Sequence, residues 1–159
     1  MDAGFYLQAF GATGTATYTV SAPGYTSRTA TVFLTPSGIV LMNSQGLPFV
    51  SLPSGGSAAV TIAPAQLKAD GTFNNIESLR GGLTLTPALH VADGSKATVA
   101  ASVNLVGGAD PTTSPVTTTL HGLSTGQTTL TVTQPGGFVA ATNTIVAGRP
   151  MPTITVTVN

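Results

Sequence analysis

Apolar and polar positions alternate along most of this 159-residue chain. In residues 15–20, Ala16, Tyr18 and Val20 fall on one side of an extended backbone and Thr15, Thr17 and Thr19 on the other, the pattern of a strand with one face buried. The same alternation returns in residues 29–34, 59–62, 97–105, 128–133 and 153–158. Threonine suits the outer row, because it is β-branched and tolerates water. Each Val or Leu on the inner row contributes about 1.5–3 kcal/mol on burial, set against the entropy of ordering the chain. The pattern predicts an all-β fold. Helix is expected only as single turns, at residues 64–68 and 75–80.

Turn residues punctuate the alternating runs. Pro23-Gly24 and Pro135-Gly136 each follow a strand, and Pro presets one turn position while Gly accepts a positive φ at the next. Gly55-Gly56, Asp70-Gly71, Gly81-Gly82, Asp93-Gly94 and Gly107-Gly108 mark further reversals. A turn every 10–15 residues or so is the rhythm of an antiparallel sandwich.

The chain also echoes itself. TGTATYTVSAPGY at residues 13–25 returns as TGQTTLTVTQPGGF at residues 125–138, an offset of about 112 residues, which is the length of one small sandwich module. Thr29-Ala30-Thr31-Val32 aligns with Thr142-Asn143-Thr144-Ile145, and a Pro-containing link follows each. The simplest division is the C-terminal part of one module at residues 1–37, a complete module at 38–150, and a terminal strand at 151–159 that opens a next module or is donated to a neighbour. A rival division assigns that last strand to the central module.

Composition narrows the classes of function. Only 6% of residues are charged, five Lys plus Arg against five Asp plus Glu, where about a quarter is usual. A basic face for nucleic acid or for an anionic membrane surface is therefore not expected. A dispersed monomer commonly has a surface about 25–35% charged and a net charge away from zero, whereas this chain is formally neutral. A surface of Thr, Ser, Gly, Asn and backbone is indifferent to salt and pH, which suits an extracellular setting, but it does little to repel a second copy. Cysteine is absent, which removes disulfides, thiolate nucleophiles and thiolate metal sites. No segment reaches the 18 or so apolar residues of a spanning helix, so membrane insertion is not expected. MDAGFYLQAF lacks the basic-then-apolar order of a signal peptide, which puts any export signal upstream or already removed.

Candidate chemistry is sparse. His90 and His121 have no further ligand residues at matching spacing, and a metal site would need them. Ser and Thr abound without a G-x-S-x-G elbow or an S-x-x-K pattern. Asp2, Asp70, Glu77, Asp93 and Asp110 are scattered, and Asp70-Gly71 and Asp93-Gly94 read as turn formers before they read as calcium ligands. Trp is absent, and Tyr6, Tyr18 and Tyr25 all lie near the N-terminus. That is a weak basis for a sugar-binding row of aromatics, and Tyr18 alternates with Val20 as a core residue would. No catalytic, cofactor-binding or metal-ligating residue, and no cofactor, is assigned from the sequence.

On TGTATYTVSAPGYTSRTATVFLTPSG, its echo TGQTTLTVTQPGGFVAATNTIVAGRP and the Thr/Val/Gly-rich stretch between them, the chain resembles the bacterial immunoglobulin-like (Big-type) repeat modules of large secreted or cell-surface proteins. The resemblance implies an immunoglobulin-like antiparallel β-sandwich in tandem modules, without the Cys and Trp of antibody domains. It implies a non-enzymatic role as stalk, spacer or adhesin segment at the bacterial surface, with neighbouring modules or identical subunits as partners through sheet edges. Some bacterial surface sandwiches carry a Lys–Asn crosslink beside an acid. Lys68, Lys96, Glu77 and Asn143 are the available residue types, and the bond would need a dry core and a protonated carboxyl. The alternative function is a self-assembling extracellular filament subunit, because TITVTVN at residues 153–159 carries none of the charge, Pro or bulge that protects an edge strand and suits addition to another sheet.

Overall fold

The structure, a computed structural model, describes residue 7 and residues 13–108, 115–142 and 149–159. Strands and turns account for the regular structure among them, without a helix. The strands are β1 (Gly14–Val20), β2 (Arg28–Leu34), β3 (Ser37–Met42), β4 (Phe49–Leu52), β5 (Ser57–Leu67), β6 (Phe73–Ile76), β7 (Thr84–Leu85), β8 (Leu89–Val91), β9 (Ala97–Thr98), β10 (Leu105–Val106), β11 (Val116–Gly122), β12 (Gly126–Val132) and β13 (Thr153–Val158).

From Ser37 onward the strands build a two-layer β-sandwich. One sheet has the order β3-β5-β11-β9, with β6 added to β5, and the other has the order β4-β13-β12-β8. Ladders within both sheets are antiparallel except β4 with β13, which is parallel. The period-two pattern explains the core. Ile39, Leu41, Val60, Ile62 and Leu120 of the first sheet meet Val50, Leu52, Leu130, Ile154, Val156 and Val158 of the second in one buried cluster. A smaller cluster, Val40, Ala63, Ala65, Leu67 and Ala141, covers the opposite face of β3 and β5. Burial on both faces is why residues 39–41 and 62–65 read as unbroken apolar runs. The remaining strands form two separate pairs, β1 with β2 and β7 with β10.

Three local expectations change in the structure. Residues 64–67 extend β5 and residues 75–76 lie in β6, so neither expected helical turn forms. Pro64 is tolerated inside β5 because of where its missing N–H falls. Glu77 donates its N–H to the Pro64 carbonyl at 3.0 Å, Pro64 has no N–H to return the bond, and β6 has ended one residue earlier. The alternating run 97–105 is not one strand. β9 stops at Thr98 in the first sheet, and the chain then crosses to the second, where Leu89 N–H donates to the Ala101 carbonyl at 2.8 Å. Ala97, Val99, Val103 and Leu105 still point into the main cluster, so the apolar alternation continues while the backbone partners change. Tyr18 is half-buried on the β1/β2 hairpin and belongs to neither core cluster.

The sandwich receives its chain at one pole and releases it at the other. Ser37 pairs with Gln66, near the end of β5. Asn159 accepts from Ser54 N–H at 2.8 Å beside the turn that leads into Ser57, the start of β5. Those points are separated by most of the length of β5, from Gln66 to Ser57, which is about 30 Å at the usual rise per residue.

The β12-to-β13 connection crosses β3 at close range. A Cβ on Gly38 would stand 2.5 Å from the Val139 carbonyl oxygen. Gly38→Ala is expected to push this connection off β3 and cost about 1–3 kcal/mol, the usual range for overpacking, read as a lowered urea midpoint.

Candidate functional site

Among the described residues, the titratable side chains do not assemble into a site. His90 is exposed on β8 in one sheet and His121 is exposed on β11 in the other. Among the described residues no three of His, Asp and Glu stand close enough to hold a metal ion. Lys68 and Glu77 are exposed, not in the dry contact a Lys–Asn crosslink requires, and Asn143 lies outside the described residues. Lys96 serves another purpose: its Nζ donates to the Thr125 carbonyl at 2.9 Å while its own carbonyl accepts from Leu123 N–H at 2.8 Å, tying the turn before β9 to the turn before β12. Tyr6, Asp2 and Asp110 lie outside the described residues.

Asp70 and Asp93 are built alike. Thr72 donates its N–H and hydroxyl to Asp70 Oδ1 at 2.9 and 2.7 Å, and Ser95 does the same for Asp93 Oδ1 at 2.9 and 2.7 Å. Both aspartates thus close turns, as their Asp-Gly dipeptides suggest. The hydroxyl bond first, and the backbone bond second, hold each carboxyl below the usual carboxylate range. A depressed folded pKa stabilises the fold above the unfolded value of about 3.9, and that contribution is lost as pH falls through the folded pKa. Melting temperature is therefore expected to hold from neutrality to about pH 5 and to decline below about pH 4. In Asp70→Asn/Asp93→Asn that acid decline should be shallower, as thermal melts across the range would register.

What the fold does build is control of strand edges. TITVTVN is not at an edge: β13 lies between β12 and β4, pairing with Gly126–Thr131 on one side and Phe49–Leu52 on the other. A strand with two neighbours needs no edge protection of its own, which accounts for its lack of charge. The exposed-edge risk falls instead on β3, and the β12-to-β13 connection covers it. Val139 N–H donates to the Ser37 carbonyl at 2.8 Å, and Leu41 exchanges bonds with Met151 at 2.6 and 3.2 Å. Between them the Gln134 side chain stands in for a strand residue, accepting from Ile39 N–H at 2.7 Å and donating to the Ile39 carbonyl at 2.9 Å. Sequence reasoning missed Gln134. Its only signal was a lone amide at the end of the echoed motif. The other outer strands, β4, β6, β8 and β9, have four, four, three and two residues, and short edges offer little to pair with.

Several exposed apolar side chains lie on the β1/β2 hairpin, Val20, Tyr25 and Phe33 among them. Its register, Gly14 with Leu34 through Val20 with Arg28, runs parallel to that of β12 and β13, Gly126 with Val158 through Thr131 with Thr153. In strand pairing Thr29–Leu34 corresponds to Thr153–Val158; of residues 142–145, aligned in sequence with residues 29–32, Asn143, Thr144 and Ile145 lie outside the described residues. Two details repeat. Gly14 and Gly126 open their strands at φ 124 and 136, values that only glycine takes readily. A cross-strand pair of threonine hydroxyls then bonds near the far end of each ladder, Thr19 with Thr29 at 2.9 Å and Thr131 with Thr153 at 3.0 Å. The loops differ, the bonded threonines being 10 positions apart in the first hairpin and 22 in the second. The row that β12 and β13 bury is largely open in β1 and β2. Ala16, Val20 and Ala30 are exposed, Tyr18, Val32 and Leu34 are half-buried, and Tyr25 and Phe33 nearby are 81% and 73% accessible.

No family model matches the chain, and no curated protein matches its sequence significantly. Among solved structures, it is similar to the S-layer protein rSbsC with a TM-score of 0.43 and 18% identity over 92% of this chain and 16% of that one. It is similar to domains 4 and 5 of the S-layer protein SbsC with a TM-score of 0.39 and 17% identity over 92% of this chain and 65% of that one. The chain thus spans about a sixth of the first and just under two thirds of the second. Similarity at this level fixes neither fold nor role.

Proposed function

We propose that residues 37–159 form an immunoglobulin-like module of an exported bacterial protein, acting as a non-catalytic spacer, stalk or adhesin segment at the cell surface. The observation that carries this reading is that the chain enters and leaves the sandwich at opposite poles of β5, which lets modules string head to tail. The strand orders support the immunoglobulin-like assignment. They correspond to an ABED sheet facing a CFG sheet, with β3, β5, β11 and β9 in the first and β8, β12 and β13 in the second, while β4 joins β13 as a continuation of the opening strand. The near-absence of charge fits a surface insensitive to its surroundings, and the resemblance to bacterial surface repeats supports the setting. In this reading residues 151–159 complete the module, and residues 13–36 belong to a preceding one.

The test joins two full chains through their native ends and measures small-angle scattering beside the single chain. A spacer adds at least one sandwich length, about 30 Å at the strand rise, to the maximum dimension. Two copies folded side by side, with little gain in length, would count against it. Electron microscopy of the single chain at micromolar concentration addresses the filament alternative, since regular fibres would favour a self-assembling subunit over a spacer.

A further inference from the structure

We infer that the β1/β2 hairpin is the closing hairpin of another sandwich, and that its apolar row docks on a partial module with the strand order of β3 to β11 and no final hairpin of its own. This rests on the module reading above and names what that reading leaves open, the surface that takes in the exposed Ala16, Val20 and Ala30 of the row. The argument is one of equivalence. Position by position, Ala16, Tyr18, Val20, Ala30, Val32 and Leu34 occupy the places of Thr128, Leu130, Val132, Ile154, Val156 and Val158, and those six are buried. Five of the six contribute to the cluster they share with β3, β5 and β11. A surface that complements the hairpin is therefore aliphatic, uncharged and shaped like the inner face of β3-β5-β11. A two-stranded hairpin is marginal in water by itself, so the row calls for such a cover.

A second copy of this chain is a poor occupant. Its own slot is filled by β12 and β13, which are tethered in place and bring Leu130 and Ile154 where the hairpin has Tyr18 and Ala30. The partner must instead lack its last two strands. Its facing layer must also be bulkier opposite Ala30 and roomier opposite Tyr18. Only Thr35 and Pro36 separate β2 from β3, so the docked module would abut the pole of the next.

The experiment adds residues 37–125 of this chain, the strands β3 to β11, ahead of residue 13 of the full chain and follows backbone hydrogen exchange. In the intact chain the same strands already accept an equivalent hairpin. Amides of β1 and β2 are expected to exchange at least about 100-fold more slowly than in the unextended chain. Ala30→Ile, which restores the Ile154 shape, should slow them further. Val32→Asp should return them to the unextended rate while β13 amides stay protected. Unchanged exchange in the extended chain, with and without Ala30→Ile, would overturn the inference. So would protection of β1 and β2 in the unextended chain that rises with concentration, because the occupant would then be a second copy. The tandem-length measurement is independent of these rates, so a failed spacer reading and a failed docking reading give different results.

Discussion

Val156→Asp is expected to abolish cooperative folding of the sandwich, whereas Val32→Asp, at the equivalent place in the β1/β2 hairpin, should leave its melting temperature unchanged. Val156 is completely buried, lies on the strand between β12 and β4, and packs in the cluster that both sheets share. The substitution forfeits about 1.5–3 kcal/mol of valine burial and sets a carboxyl among aliphatic side chains, where it ionises at great cost or takes up a proton. The total exceeds about 4–5 kcal/mol, a large part of the 5–15 kcal/mol by which ordinary domains are stable. Far-UV circular dichroism melts of both variants beside the parent would decide it. A Val156→Asp melt within a few degrees of the parent would mean that β13 is not a central strand in solution.

Gln134→Leu should cost about 2–4 kcal/mol. Leu retains most of the side chain's bulk but neither hydrogen bond, so the N–H and carbonyl of Ile39, a residue with no accessible surface, lose their partners. Each unsatisfied buried group costs about 1–3 kcal/mol. The urea midpoint should fall with little change in slope, because the surface exposed on unfolding is nearly the same. A second consequence follows from the edge that Gln134 closes: with the bridge gone, β3 can pair with another chain, and light scattering near the new midpoint should rise above that of the parent. A midpoint shift worth less than about 0.5 kcal/mol would show that the Gln134 bridge contributes little in solution, since surface changes normally fall within that range.

The two variants probe different means of controlling the same hazard. A threonine-rich sandwich from a chain with few charges and no net charge has little like-charge repulsion to keep sheets apart, so it depends on placing its most pairable strand in the middle of a sheet and on closing β3 with a side chain. Neither device reaches β1 and β2. Their apolar row fits the preceding-module reading and is the surface on which a partner for this chain should be sought first.

The period of two placed β1, β2, β12 and β13 within two residues of their observed bounds, because which side of a strand is apolar is local information. The turn residues likewise located the reversals at Asp70 and Asp93, where a short side chain bonds to backbone two positions on. Local chemistry misled where a strand exchanged partners. The 97–105 alternation ran through a crossover between sheets, and Pro64 looked like a helix start although its missing N–H fell harmlessly at the end of a ladder. The pairing itself was decided by tertiary structure alone. Alternation in TITVTVN states that one face is buried but not whether the neighbours are β12 and β4, a next module or another chain. The echo at residues 125–138 aligned two first strands but not their partners, because the loop between Thr131 and Thr153 is longer than that between Thr19 and Thr29. Gln134 carries no pattern at all: an amide becomes part of a sheet edge only when the fold brings it across 95 positions to Ile39. Alternation fixes a face within a few residues of chain, whereas hydrogen-bond partners in a sheet are chosen across the whole of it.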